Sequence, residues 1–357
     1  MYTIPEINFE EISGRDGNLG LITLTRTQAL NALNHPMLSA LAQQLTEWEA
    51  ANHIKAVVIR AAPGRAFSAG GDLRGAYEHK KAADPLLPVF FRDEYRINRH
   101  IHQYKKPYIA LLDGIVMGGG VGISIHASHR VATDRLDFAM PETGIGFFPD
   151  VGSTWYLSRL PHAIGFYLAL SGARISLNDC MAAGLIDFPV KTDQFPEIIY
   201  ALADASIVEG EARQAVTEAL QPFTKEYGSS ELWLHREEIQ RCFSENTIED
   251  ILEALDNSPE TWMQNIAPVL RTKSPTSLKV TLRALQEAAT LDFDAAIEME
   301  YRLCCHFLEG HDFFEGIRAL IIDKDRKPHW KPATLKAVTS REVKKYFQEL
   351  KEDMPVF

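Results

Sequence analysis

MGGGVGISIHASHRVATDRLDFAMPETGIGFFPDVG, residues 117–152, is the stretch that decides the fold. Three glycines, Gly118 to Gly120, open it. Glycine tolerates dihedrals other residues avoid and lets backbone approach a ligand closely. The apolar run Val121–Ala127 follows, and its composition predicts a helix. Such a helix points free N–H groups and a positive dipole end back at the glycines, which suits an anion or an oxygen becoming one during reaction. Two carboxylates, Glu142 and Asp150, close the stretch within a segment rich in glycine and proline. They are the candidate chemical groups.

Upstream, Leu19–Thr25 and Lys55–Ala61 read as β-strands, the second as a buried one. His35–Ala50 carries Met37, Leu38, Leu41, Leu45 and Trp48 at helical spacing. Ala62–Asp72 is a second glycine loop. Ala76–Lys81 and Phe90–Tyr104 read as helices with Pro85 and Pro88 breaking between them. Tyr108–Leu112 is a strand that delivers the chain to the triple glycine, and Arg130–Thr133 is another. Strands and helices alternating at this spacing predict an α/β fold with crossover connections. Beyond about Pro189 helical periodicity takes over, through Glu209–Leu220, Ile248–Leu255, Leu278–Ala289 and Ala295–Leu308. Ser274-Pro275-Thr276 reads as a helix start, and Arg326–Pro332 as a turn or extended segment. The change of character, between residues 190 and 205, separates a core of residues 1–195, which holds the site, from a mainly helical region of 196–357.

The 357 residues are 46% apolar and 24% charged with a net charge of −11, an ordinary globular composition. The acidic balance and the lack of a basic tract argue against nucleic acid. No run approaches the roughly 20 apolar residues of a membrane span, and no secretory signal is visible in MYTIPEINFEEISGRDG. Cys180, Cys242, Cys304 and Cys305 show no CxxC spacing, so buried free thiols in a reducing compartment, the cytoplasm, are expected.

The glycines of Phe67–Leu73 (FSAGGDL) and Met117–Gly120 each follow a predicted strand. One backbone N–H from each can grip a single carbonyl oxygen; equally, both are ordinary tight turns. Together, FSAGGDL, the GGG loop with its helix, and PETGIGFFPDVG resemble the crotonase (enoyl-CoA hydratase/isomerase) superfamily. The aspartate of FPDVG, the helix FFRDEYRIN and the tail EGIRALIIDKDRKPHW resemble most closely its 3-hydroxyisobutyryl-CoA hydrolase branch. Several separated motifs in the same order make a specific signal.

The resemblance implies a spiral of ββα units followed by a helical C-terminal region. It implies an oxyanion hole from the N–H groups of Gly71 and Gly119, and substrate contacts from Glu94, Gly119, Glu142 and Asp150. Hydratases of the superfamily resemble one another in using two glutamates. Here the first of those positions is Gly122, which transfers no proton, and the second is Glu142; Asp150 stands where they have glycine. The implied reaction is hydrolysis of a short-chain 3-hydroxyacyl-CoA, with Glu142 and Asp150 catalytic and valine breakdown the context. The alternatives are an enoyl-CoA hydratase or isomerase and a non-catalytic acyl-CoA binder.

Read without the resemblance, Glu94 sits on a solvated helix face, Glu142 is an N-cap or turn acid, and Asp150 caps the helix that follows. His126 and His129, three apart on the predicted helix, lack a third ligand at diagnostic spacing, so no metal is expected. His306 and His311 read as structural. GGGVG lacks the last glycine of GxGxxG, no GK[ST] loop exists, and no cofactor is expected beyond the coenzyme A carried by the substrate. The superfamily resemblance implies a possible homo-oligomer, whose interface a long C-terminal region can cover.

Overall fold

A computed structural model of the chain describes residues 4–82, 86–208, 210–350 and 357. The chain forms two compact units, interleaved along the sequence. The first comprises Met1–Gly71, Ile97–Phe138 and Ile175–Ser230; the second comprises Asp72–Arg96, Ala139–Arg174 and Glu231–Phe357. The change of sequence character near residue 195 is therefore a change in local periodicity. Compactness groups the residues differently.

Ten strands run through the described residues: β1 (Ile7–Ser13), β2 (Asn18–Leu24), β3 (Ile54–Ala61), β4 (Ala66–Ser68), β5 (Tyr108–Leu112), β6 (Ile115–Met117), β7 (His129–Ala132), β8 (Asp137–Ala139), β9 (Ile175–Ser176) and β10 (Phe188–Pro189). They make a six-stranded sheet in the order β1-β2-β3-β5-β7-β10 and a four-stranded sheet in the order β4-β6-β8-β9. β3, β5 and β7 step through the large sheet as β4, β6 and β8 step through the small one, so each turn of chain gives one strand to each. This is the expected crotonase-type α/β spiral. Val57 pairs with Tyr108 and Ile109 with His129 in parallel register. The apolar runs KAVVIRA and YIALL are buried because helices cover a parallel sheet. Leu21, Val58, Leu111 and Val131 pack with Ile198, Leu202 and Val216 of the helices Phe195–Asp204 and Ala212–Leu220 in one core cluster.

The helix His35–Ala50 and the strand Tyr108–Leu112 fall where periodicity predicts. Pro88 does not break a helix: it lies in the first turn of Leu86–His102, where a missing N–H costs nothing. Pro85 and Glu209, read as a breaker and a helix start, lie outside the described residues. The helix predicted over Val121–Ala127 is instead four residues, Gly119–Gly122. Ser124 explains part of the loosening, because its hydroxyl bonds back to the Gly120 carbonyl at 2.8 Å and competes with the ladder.

The second unit is mainly helical. Ser274 caps the helix Pro275–Ala288 as its sequence predicts, accepting from the Ser277 N–H at 3.1 Å. The GIGFFPDVG segment is seated in an aromatic cluster. Phe147 lies 4.5 Å from Phe313 and 5.7 Å from Phe91, and Phe148 stacks on Phe307 at 5.5 Å. Contact with the helix Asp312–Ile317 is backbone-close: a β-carbon at Gly146 would lie 2.2 Å from the Asp312 carbonyl oxygen, and one at Gly316 would lie 2.2 Å from that of Ile145. Arg326–Pro332 carries no helix or strand. It is held by Lys331 N–H to Asp312 (2.8 Å) and Trp330 Nε1 to the Thr272 carbonyl (3.0 Å).

Candidate active site

Glu94, Glu142 and Asp150 are brought into one buried neighbourhood of the second unit. Glu94, on the helix Leu86–His102, is only 2% exposed; the solvated-face reading of this residue is thereby corrected. Its Oε1 has no partner in the protein. Burial, and then the Asp150 charge, push its carboxyl well above the usual range. Glu142 begins the 3₁₀ turn Glu142–Ile145 behind Pro141. It is 6% exposed and its Oε2 is unpartnered. Burial raises its pKa strongly, helped by Asp150 and Glu94, and the Lys273 ammonium pulls the other way. Asp150 is pushed up to about 7 by burial, against the stabilising hydrogen bond from the Tyr95 hydroxyl at 2.7 Å. Asp150 is not a helix cap: Gly152 occupies that position before Ser153–Leu157, with no side-chain cap.

Carboxyls so arranged have two uses. One that titrates near neutrality can exchange a proton with water or a substrate hydroxyl. One with an unshared oxygen in a dry pocket can attack an activated carbonyl. The buried Oε1 of Glu94 and Oε2 of Glu142 are acceptors without internal donors, and a buried polar atom of that kind is costly unless a ligand serves it.

In the first unit the two glycine loops lie side by side. Gly70 has φ +103°, and a β-carbon there would lie 3.1 Å from the Met117 carbonyl oxygen and 3.4 Å from the Gly119 nitrogen. Leu33 bridges to this loop through its own N–H and the Gly70 carbonyl at 2.8 Å, a pattern that leaves the Gly71 N–H out of the ladder. Gly119 opens the helix Gly119–Gly122, where N–H groups have no intrahelical partner. Two backbone donors on adjacent loops are what a single developing oxyanion needs.

The family profile for enoyl-CoA hydratase/isomerase matches residues 19–347. The chain belongs to this family. It is 42% identical over 343 residues to the mitochondrial 3-hydroxyisobutyryl-CoA hydrolase of Rattus norvegicus and 40% identical over 350 residues to that of Homo sapiens, in each case over 96% of this chain and 89% of the relative. Among solved structures, a carnitinyl-CoA dehydratase from Mycobacterium thermoresistibile superposes with TM-score 0.88 at 38% identity, over 97% of both chains. An enoyl-CoA hydratase from Rhodobacter sphaeroides 2.4.1 superposes with TM-score 0.86 at 34% identity, over 96% of this chain and 97% of that one.

Within the enoyl-CoA hydratase/isomerase family, this chain carries buried Gly122 on the short helix after the GGG loop and its acids on the second unit. Three residues around those acids escape motif reading. Tyr95 adjoins Glu94 and was legible only as its neighbour. Lys273 lies between two helices, with its Nζ 3.3 Å from where a Gly144 β-carbon would be and 3.5 Å from that of Gly172. Burial lowers its pKa while Glu142 opposes the shift. Glu300 is an acid on the buried stripe of Phe293–Glu309, beside Ile297, Leu303 and Cys304; a charge at such a position was the available signal.

The other candidates have structural employment. His129 lies on β7 rather than on a helix with His126; its Nδ1 meets Ser128 Oγ at 2.8 Å and its Nε2 meets Thr217 Oγ1 at 3.1 Å. His306 Nε2 meets the Gln348 carbonyl at 3.1 Å, and His311 Nδ1 meets Asp312 at 3.1 Å. Among the described residues no cluster of three or more His, Cys, Asp or Glu fits a metal ion. The four thiols are free, with Cys180, Cys242 and Cys304 buried. No helix among the described residues is long and apolar enough to cross a membrane.

A stability consequence follows from Asp150. Burial pushes its pKa up to about 7 in the folded chain, well above the ordinary aspartate range that it keeps when unfolded. Between those values the unfolded chain gives up its proton and the folded one keeps it. The contribution of Asp150 to stability therefore falls as pH rises through this window and is lowest above 7. Asp150→Asn is expected to melt higher than wild type at pH 8, by roughly 1 °C for each kcal/mol recovered in a chain of 357 residues, with the difference shrinking towards pH 4. Thermal melts across that range check it, and equal melting temperatures at pH 8 would refute it.

Proposed function

We propose that the chain hydrolyses a short-chain 3-hydroxyacyl-CoA thioester, with 3-hydroxyisobutyryl-CoA the substrate and 3-hydroxyisobutyrate and CoA the products. The observation that carries this is the grouping of Glu94, Glu142 and Asp150 as buried carboxyls with raised pKa values, in a chain whose hydratase-type first acid is replaced by Gly122. The hydrolases from Rattus norvegicus and Homo sapiens, similar over nearly the whole chain, support the same reading.

In this reaction Glu142 works on the thioester carbonyl, and Asp150, held by Tyr95, orients water or the substrate hydroxyl. Glu94 contacts the acyl portion. The N–H groups of Gly71 and Gly119 take the carbonyl oxygen as it becomes negative; such donors are worth about 2.7–4 kcal/mol each. The C–S bond breaks, the sulfur leaves as thiolate and takes up a proton, and the hydroxyl of water ends on the acyl carbon. Glu142 acts either by attacking the carbonyl, to give an anhydride that water opens, or by removing a proton from the attacking water. Direct attack is the preferred route, because the segment that carries Glu142 and Asp150 offers two acids and no histidine. No cofactor takes part; coenzyme A arrives with the substrate. Valine breakdown is the proposed context. The free thiols fit a reducing compartment such as the cytoplasm, whereas the named hydrolases are mitochondrial.

The test is thiol release over a panel of acyl-CoAs, run beside hydration of an enoyl-CoA. Release is expected with 3-hydroxyisobutyryl-CoA at the highest kcat/KM of the panel, without hydration. The dehydratase and hydratase titles of the two structural neighbours motivate a second reading: hydration without thiol release would replace hydrolysis by it. Binding with neither reaction would leave an acyl-CoA carrier.

A further inference from the structure

Asp150 is followed by two residues in the left-handed region, Val151 at φ +59° and Gly152 at φ +82°. A β-branched residue rarely adopts that conformation and keeps it only where its surroundings over-determine it. The turn's anchor lies about 150 residues further along the chain. Glu300, fully buried in the helix Phe293–Glu309, accepts hydrogen bonds from the Gly152 N–H at 2.6 Å, the Thr154 N–H at 2.9 Å and the Thr154 hydroxyl at 2.6 Å. On the other flank the Tyr95 hydroxyl holds the Asp150 side chain, and the Asp150 carbonyl accepts from the Ser153 N–H at 3.0 Å. Tyr95 fixes the carboxylate, and Glu300 fixes the backbone that carries it.

We propose that Glu300 is a positioning residue: its carboxylate locks the turn 151–154 in the strained form that aims Asp150. This rests on the assignment of Asp150 to the reaction made above. The carboxyl oxygens face donors alone: two partners are obligatory N–H donors and the third, a hydroxyl, can donate. Glutamine would keep the volume but turn a donor towards these donors.

Burial pushes the Glu300 carboxyl up to about 8, helped by the Asp150 charge and opposed by the bonds from Thr154 and Gly152. The other titratable groups around the pair are Glu94 and Tyr95 on the helix Leu86–His102, Glu142 at the start of the loop, and Cys304 one turn beyond Glu300. The Asp150 charge opposes ionisation of each of these, and the Tyr95 hydroxyl favours ionisation of Asp150.

The experiment compares full-length Glu300→Gln, Thr154→Val, Thr154→Ser and Asp150→Asn in thiol release, with folding checked by circular dichroism. Glu300→Gln is expected to lower kcat by about tenfold to a hundredfold with little change in KM. Its acid limb in kcat/KM should move to higher pH, because a released turn loosens the Tyr95 hydrogen bond that favours ionised Asp150. Thr154→Val should lose activity and Thr154→Ser should restore it. A folded Glu300→Gln with wild-type kcat and an unmoved pH profile overturns the proposal. If Glu300→Gln does not fold, the Thr154 pair decides, and equal kcat for valine and serine overturns it. Full activity in Asp150→Asn would instead remove Asp150 from the reaction. An inactive Asp150→Asn beside a fully active Glu300→Gln leaves that assignment standing and removes Glu300 alone.

Discussion

Replacing Glu142 by glutamine is expected to lower kcat by about 10²–10⁴ while leaving acyl-CoA affinity within a few-fold of wild type. The amide keeps the size of a side chain that is 6% exposed, so the loop Glu142–Ile145 and its seat against Lys273 and Leu170 persist. What is lost is basicity and nucleophilicity, at a position where burial and two neighbouring carboxyls raise the proton affinity and the Lys273 ammonium opposes them. Turnover by stopped-flow thiol release and affinity by calorimetry make the comparison; near-normal turnover would show that Glu142 is not the central group. The wild type separates the two routes. Single turnover in oxygen-18 water, with enzyme in excess, labels Glu142 if water opens an anhydride at the enzyme side. Hydroxylamine trapping yields a hydroxamate on Glu142 if an anhydride forms at all. Failure of both probes under active turnover would select the general-base route.

Gly119→Pro is expected to lower kcat/KM by about 10²–10³, the effect of deleting one oxyanion donor, and Gly119→Ala is expected to cost less. Gly119 is the first residue of the helix Gly119–Gly122, the position where proline's fixed φ fits and its missing N–H breaks no intrahelical bond. The substitution therefore removes the donor with the least disturbance to the backbone. The glycine before it, at φ +49°, has no β-carbon to clash with the new ring. Circular dichroism establishes that the variant folds. A folded Gly119→Pro enzyme with wild-type activity would take Gly119 out of the oxyanion hole.

Local pattern carried the elements whose signal lies within one short stretch. His35–Ala50 and Tyr108–Leu112 were legible to the residue because one shows a helical apolar face and the other a continuous apolar run. The glycine loops and the PE and PD pairs were legible because chemistry of this kind needs particular residue types at particular separations. The three-residue strands β4, β6 and β8 were not: so short a run has no usable period, and its partner lies on another turn of the spiral. The helix after Gly119 stops early because a serine hydroxyl competes for its carbonyls, an effect that apolar spacing does not record. Glu94 was ambiguous for a different reason. Helical periodicity places residues on faces but does not say what packs against each face, and only the fold buries this carboxyl beside Asp150. The sequence by itself thus determined the α/β spiral, through its resemblance to the crotonase superfamily, and named the glycines and acids proposed for the site. Tertiary structure alone decided which carboxyls lose their water, and so which are pushed towards neutral pKa values. It alone brought Glu300 to the turn after Asp150, because that contact joins residues nearly 150 positions apart and no local propensity encodes it.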